Sequence, residues 1–314
     1  MEPISVFFVL IPIGLVVGIF AAITGLGGGV LMVPILFLGI FAFSNPYSDT
    51  IKYATTISST VILFTATSAT IAFSIQKRID YIVALLCAPF TIAGAFLGKF
   101  TQAKIDESIV LVFFAILLVL TALRMLYKVI IAKRKAQKLE EINSIEESAL
   151  NTIPFEDEPS RFKLFLNKLT LERTITDKEN KDWQYKARLY LTPIAIIGGF
   201  VASMAGVGGG IIMVPVLHIF IGLPIHFSTA TSVFIMIFTK TSTLISSYTN
   251  PSVITEDIWW PFVLGLAIGI VGGAQIGALV AKRIKADPLK IIFASVLILV
   301  SIWTIINWRL GITG

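Results

Sequence analysis

Apolar residues run along this chain in long uncharged blocks, separated by short polar or glycine-rich joints. A helix that crosses a bilayer needs about 20 mostly apolar residues. On that measure the blocks predict helices near 4–24, 29–43, 51–75, 80–100, 107–130, 188–206, 210–223, 227–248, 258–280 and 288–308. The second and seventh are short. Each follows a glycine cluster and contains a proline expected to break a helix, Pro34 or Pro215, so each reads as a half-helix or a strongly tilted span. Between the fifth and sixth blocks lies a polar stretch, 132–187, opening on Lys133, Arg134 and Lys135 and carrying most of the acidic residues. It reads as a solvated linker with some helix, which extends the fifth span through Lys138, Glu140 and Glu141. The expected organisation is a first membrane unit over 1–131, the linker over 132–187 and a second membrane unit over 188–314.

Composition supports lipid as the solvent. Of 314 residues, 56% are hydrophobic and 14% charged, too few charges to cover a water-soluble surface of this size. The net charge of +6 does not point to nucleic acid, because the basic residues flank hydrophobic blocks, where they set membrane orientation. The first block begins at Ile4 without the basic leader of a signal peptide and is expected to be a retained first helix. Cys87 is the single cysteine, and His218 and His226 are the two histidines. Neither a thiolate nor a histidine-rich metal site is expected, and no cofactor motif is present.

The chain is duplicated. Gly25-Leu26-Gly27-Gly28-Gly29-Val30-Leu31-Met32-Val33-Pro34-Ile35-Leu36 returns as Gly206-Val207-Gly208-Gly209-Gly210-Ile211-Ile212-Met213-Val214-Pro215-Val216-Leu217. Ala54-Thr55-Thr56-Ile57 returns as Ala230-Thr231-Ser232-Val233, and Gly94 and Gly98 return as Gly273 and Gly277. The joints between the blocks differ in charge. Loop 76–80 holds Lys77 and Arg78, whereas its counterpart near 249–257 holds Glu256 and Asp257. Loop 99–107 balances Lys99 and Lys104 against Asp106 and Glu107, whereas its counterpart sets Lys282, Arg283, Lys285 and Lys290 against Asp287. Counterparts on opposite sides of the membrane would show this asymmetry. Five spans per half invert the second copy automatically. The expected fold is therefore an all-α polytopic membrane protein, with about ten segments in two inverted five-segment repeats and glycine-broken short helices. The amino terminus is expected outside the cytoplasmic membrane and 132–187 in the cytoplasm. Inverted repeats are a recurrent plan for secondary transporters, since the two halves can exchange inward-open and outward-open shapes.

The glycine clusters Gly27, Gly28, Gly29 and Gly208, Gly209, Gly210 do not continue as a phosphate-binding loop, for no Gly-Lys-Ser/Thr follows. Two compatible readings remain. Glycines let helices pack closely, or they break a helix so that the next one points its N-terminal N–H groups at an anion. The hydroxyls of Thr55, Thr56, Thr231 and Ser232 can donate to an oxyanion or bond within helices. Lys240 lies inside an apolar block, where a charge costs roughly 2.5–3.5 kcal/mol on insertion scales. It is expected in a polar cavity facing an anion, with snorkelling to the interface as the alternative. Gln275 can donate to a substrate or bridge helices. Asp49, Asp80 and Glu256 fall in loops, so a carboxylate proton relay within the membrane is not expected. A coupling proton or other ion is a further expected partner, and proton coupling would have to use the substrate, water or a less obvious group.

At these residues the sequence resembles the sulfite exporter TauE/SafE family, also called toluene sulfonate uptake permeases. The likeness rests on the duplicated glycine–proline element, the Ala-Thr-Thr/Ser segments and the Gly94/Gly98 and Gly273/Gly277 pairs. It implies a transporter in the cytoplasmic membrane for sulfite or an organosulfonate, with export the expected direction. The glycine clusters, Pro34, Pro215 and the Thr/Ser pairs are the positions it carries over; Lys240 rests on the burial argument. An anion channel on the same scaffold and a non-transporting scaffold acting through 132–187 are the competing readings. An enzyme is not expected, because no nucleophile–base pair is visible.

Overall fold

The computed structural model describes residues 10–19, 50–106, 109–110, 112–123, 126–127, 170–176, 182–206, 208–249 and 260–280, with helical positions at 32, 33 and 36 and scattered between 291 and 306. Gly27, Gly28, Gly29, Pro34 and most of 132–187 lie outside the described residues. The chain is mostly helical. Helix α1 covers Leu10–Ile19, α2 Thr50–Ile75, α3 Tyr81–Lys104 and α4 Val112–Leu123. Strands β1 (Thr170–Thr176) and β2 (Asp182–Arg188) follow. A 3-10 turn over Leu189–Ile194 leads into α5 (Ala195–Met204), then α6 (Gly210–Pro215), a π turn over Val216–Ile221, α7 (Ile225–Thr249) and α8 (Trp260–Val280). Two stretches, Ala54–Ile75 and Tyr81–Lys104, are long and apolar enough to cross a membrane, and several shorter apolar helices accompany them.

Helix α3 has the reverse of a soluble helix's polarity. Leu85, Leu86, Phe96, Leu97 and Phe100 face outward, while Thr91, Lys99 and Gln102 are enclosed. An apolar exterior over a polar interior is what a lipid solvent selects. Asp80 starts the helix, its carboxylate accepting the backbone N–H groups of Ile82 and Val83 at 3.1 and 3.2 Å.

Glycine sets how closely the helices approach. A methyl group on Gly94 would come 2.1 Å from the Ile196 carbonyl oxygen, and one on Gly199 would come 2.3 Å from that of Thr91. The same two contacts recur between α1 and α8. A methyl on Gly273 would meet Leu15 O at 2.1 Å, and one on Gly18 would meet Ile270 O at 2.3 Å. The positions correspond in the two copies. Leu15 and Ile196 each stand ten residues before the first glycine of their element, and Thr91 and Ile270 each stand three before Gly94 and Gly273. Each duplicated unit therefore lends its first helix to the glycine face of the other.

Two departures from expectation stand out. The chain is not all-α, because β1 and β2 pair antiparallel, with Arg173 opposite Tyr185. Their residues alternate as a half-buried ribbon should: Trp183, Tyr185 and Ala187 turn inward while Gln184, Lys186 and Arg188 turn out. Tyr185 and Ala187 join an apolar cluster with Val83, Cys87, Met213, Leu217 and Phe227, so this end of the linker is built into the helical bundle. Nor does Pro215 stop the seventh segment. It keeps right-handed helical angles, and the helix changes there from α to π, ending at Gly222 with φ +96°. Proline removes one N–H donor from the ladder, and the wider i→i+5 bonding that follows accommodates the gap.

Replacing Gly94 by alanine should lower the melting temperature in detergent by several degrees, since an unaccommodated methyl in a packed core costs about 1–3 kcal/mol. Gly272, which has nothing within 4 Å of its would-be Cβ, should accept alanine without loss. Equal melting temperatures for the two variants would contradict this packing.

Candidate functional site

The second glycine element breaks the chain at Gly206. This residue ends α5 in the left-handed region, φ +65°, which glycine adopts without steric cost. A helix C-terminus leaves its last carbonyls without donors from the helix itself. Here side chains from three other helices supply them. Lys240 Nζ of α7 donates to Ala202 O at 3.0 Å, Gln102 Nε2 of α3 to Met204 O at 2.9 Å, and Ser58 Oγ of α2 to Gly206 O at 2.9 Å. Gly206 also lies against Thr55, where a methyl group would come 2.6 Å from the threonine Cβ.

Two lysines are enclosed at this junction, Lys99 and Lys240, each with no exposed surface. Lys99 Nζ donates to Gln102 Oε1 at 2.6 Å and to the hydroxyls of Thr55 and Thr56 at 3.2 Å each. Gln102 Nε2 reaches the same Thr55 hydroxyl at 3.2 Å. Lys240 Nζ donates to Ser59 Oγ at 3.3 Å, and Ser59 in turn donates to Thr55 O at 2.8 Å. The lysine groups thus meet one face of α2 on successive turns, at Thr55 and at Ser59. Beyond Lys240, Thr243 Oγ1 donates to Ser203 Oγ at 3.1 Å. Among the described residues no carboxylate pairs with Lys240; its partners are a hydroxyl and a carbonyl. One of its three ammonium hydrogens keeps no protein acceptor there.

The expected residues divide among several places. Thr55, Thr56 and Lys240 come together, and Gly208, Gly209 and Gly210 are buried just beyond the Gly206 break. Within that segment Gly209 O accepts from Ile212 N at 3.2 Å and Met213 N at 2.7 Å. Thr231 lies elsewhere: its hydroxyl accepts the backbone N–H of Asp80 at 3.0 Å. Asp80 and Lys99 stand at opposite ends of α3, about 28 Å apart at 1.5 Å per residue. The two hydroxyl pairs therefore do not share one pocket. Ser232 is buried with Thr231 and bonds Thr229 O at 2.8 Å within its own helix. Gln275 is exposed. It lies two residues past buried Gly273, about 200° around α8, and so turns away from the other helices.

Sequence reasoning missed Lys99 and Gln102. With the fourth span expected to end near residue 100, Lys99 counted as a loop charge, but α3 continues to Lys104. The available signal was spacing. Thr91, Gly94, Gly98, Lys99 and Gln102 fall on one helical face, and the small residues mark that face as the inner one. Asp80 lies in the turn ahead of α3, as expected, but it is fully buried there. Besides capping α3, it accepts a short hydrogen bond from Tyr185 OH and pairs with Arg173 Nε at 3.3 Å. Burial, then the Asp80 carboxylate, raises the Tyr185 pKa well above the ordinary phenol value, so the hydroxyl remains a donor.

Membrane-facing apolar helices around an enclosed cationic site narrow the function class, and comparison with known proteins settles the family. A family model described as "Sulfite exporter TauE/SafE" matches residues 10–304. The chain belongs to the sulfite exporter TauE/SafE family. As a TauE/SafE membrane transporter it is similar to two curated proteins along nearly its whole length. A probable membrane transporter protein, YunE, of Bacillus subtilis is 26% identical over 94% of this chain and 95% of its own. A probable membrane transporter protein of Methanocaldococcus jannaschii is 24% identical over 92% of this chain and 91% of its own. No solved structure matches the TauE/SafE chain.

In this transporter, Arg173→Met leaves the Asp80 carboxylate enclosed without its cation. Removing one partner of a buried pair costs about 3–5 kcal/mol; with Arg173 22% exposed, the lower end or less is expected. Thermal unfolding in detergent should show the loss, and adding Asp80→Asn should restore part of it. A double variant no more stable than Arg173→Met alone would contradict the pairing.

Proposed function

We propose that the chain is a secondary transporter that carries a small sulfur-containing anion, sulfite or an organosulfonate, across the cytoplasmic membrane by alternating access, with export the favoured direction. The observation that carries this reading is Lys240, a fully enclosed lysine whose Nζ meets neutral partners alone among the described residues. A charge held inside a membrane protein without a counter-charge is costly, and a bound anion removes the cost. Ser59, Thr55 and Thr56 supply hydroxyls beside it, able to donate to an oxyanion or to rotate away from it.

The family name supports the choice of a sulfur oxyanion. Support for two inverted halves comes from the doubled glycine contacts and from charge. With Lys99 enclosed inside α3, the end of that helix and the residues after it set Lys104 against Asp106 and Glu107, while the counterpart around 282–290 remains strongly basic. The 170–188 hairpin packs at the Asp80 end of α3, beside the Lys77–Arg78 turn, and a cytoplasmic position for both satisfies the positive-inside rule. Packing of that hairpin into the bundle weighs against an arm held free for a soluble partner. A channel on the same scaffold would differ from a carrier in not saturating.

The test is flux into and out of proteoliposomes with labelled sulfite, methanesulfonate, taurine and sulfate. Saturable flux of a sulfur anion is expected. Lys240→Ala should reduce it 10- to 100-fold, the equivalent of about 1.5–3 kcal/mol for a hydrogen bond to a charged group. Flux equal to that of protein-free vesicles for every anion would reject the proposal.

A further inference from the structure

We infer that Lys240 couples the anion to a proton, binding both together and releasing both together, one proton per anion. The inference rests on the transport reading above and adds the coupling ion and the group that carries it; with one proton per monovalent anion the step is electroneutral, and export is driven by the anion's own outward gradient.

The argument starts from what surrounds the amine. From α2 the side chains presented to Lys240 are hydroxyls, Ser59 with Thr55 one turn away. From α5 they are the Ala202 carbonyl and Ser203, the latter held by Thr243 of α7 itself. From α3 the charged group is Lys99, which reaches the same face of α2 through Thr55; the other titratable groups of that helix are Tyr81 and Cys87 toward its start and Lys104 at its end, with Asp80 capping it. Among the described residues, then, every group arranged around Lys240 is neutral or positive. Nothing there compensates the ammonium when the site is empty.

A carrier must return after delivering its cargo. If Lys240 kept its proton, the return step would move an uncompensated cation through the bilayer, and the anion would be harder to release from a permanently charged partner. Loss of the proton solves both problems. One N–H bond of the ammonium breaks, its electron pair stays on Nζ, and the proton leaves to water beside the departing oxyanion. The neutral amine retains two N–H donors for Ser59 Oγ and Ala202 O, the contacts already present, and gains a lone pair that can accept from a hydroxyl. Reloading runs in reverse. A lysine is suited to this exchange in a way that arginine, which stays protonated in proteins, is not.

The experiment uses the full chain in proteoliposomes with a trapped pH-sensitive dye. Methanesulfonate is the first probe, because its acid is fully ionised throughout the neutral range and any proton that moves must be carried by the protein. Sulfate serves as a further probe. The wild type should move one proton with each anion, so that an anion gradient changes internal pH and an imposed pH gradient drives anion accumulation. In Lys240→Arg the proton-to-anion ratio should fall from one toward zero at whatever residual flux remains, a readout independent of how much protein folds. Wild-type anion flux with no proton movement would overturn the coupling while leaving transport intact, as would a ratio of one retained in Lys240→Arg. No flux of any probe by the wild type would overturn the transport reading, and the coupling with it.

Discussion

An ammonium group enclosed by protein inside a lipid-facing bundle is the constraint around which the rest of this molecule is arranged. Neither lipid nor an apolar core tolerates Lys240 unless groups are brought to it. The fold brings three elements: α2 contributes hydroxyls, α5 contributes the carbonyls of its broken end, and α7 carries the lysine itself. The break at Gly206 matters because it leaves carbonyls without internal donors at the level where Lys240, Gln102 and Ser58 can reach them. Each side has what the other lacks. The helix end needs donors, and the donors need acceptors away from water.

Close helix packing follows from the same need. Glycines at 18, 94, 199 and 273 let backbones approach so that short side chains can span between helices. Because the contacts recur at corresponding positions of the duplicated units, each unit grips the other through its first helix. At the other end of α3, Asp80 plays the opposite electrostatic part. It gathers Arg173 and Tyr185 of the hairpin, and its backbone N–H donates to Thr231 of α7. Strand β2 runs directly through the 3-10 turn into α5, so the hairpin and the lysine site lie on one continuous stretch of chain.

Much of this was legible in the residues, and the failures have physical causes. Long apolar blocks report the solvent, and a membrane protein with a polar interior needs no other clue to its class. Lys240 was legible because it sits in mid-block, where no surface is near. Lys99 was not, because a lysine at the end of an apolar run looks the same whether its amine reaches the interface or turns inward. The hairpin was hidden by composition: Thr170–Thr176 and Asp182–Arg188 are polar enough to pass for linker, and their two-residue alternation became meaningful only with a partner surface for Trp183, Tyr185 and Ala187. Thr231 and Thr55 match in the repeat, yet duplicated copies need not bring matched residues to one place, and here they stand at opposite ends of α3. Gln275 illustrates the same ambiguity on a single helix, since being within a span says nothing of which face a side chain occupies.

The account turns on an anion meeting the amine of Lys240. The most direct measurement is a structure determined with a selenium oxyanion, selenite or selenate, whose anomalous scattering locates it without ambiguity. A peak that places an oxygen of the anion within hydrogen-bond distance of Lys240 Nζ, bordered by Ser59 and the Gly206 break, is the predicted result. An anion bound elsewhere in the bundle, with Lys240 still enclosed by neutral groups alone, would contradict it.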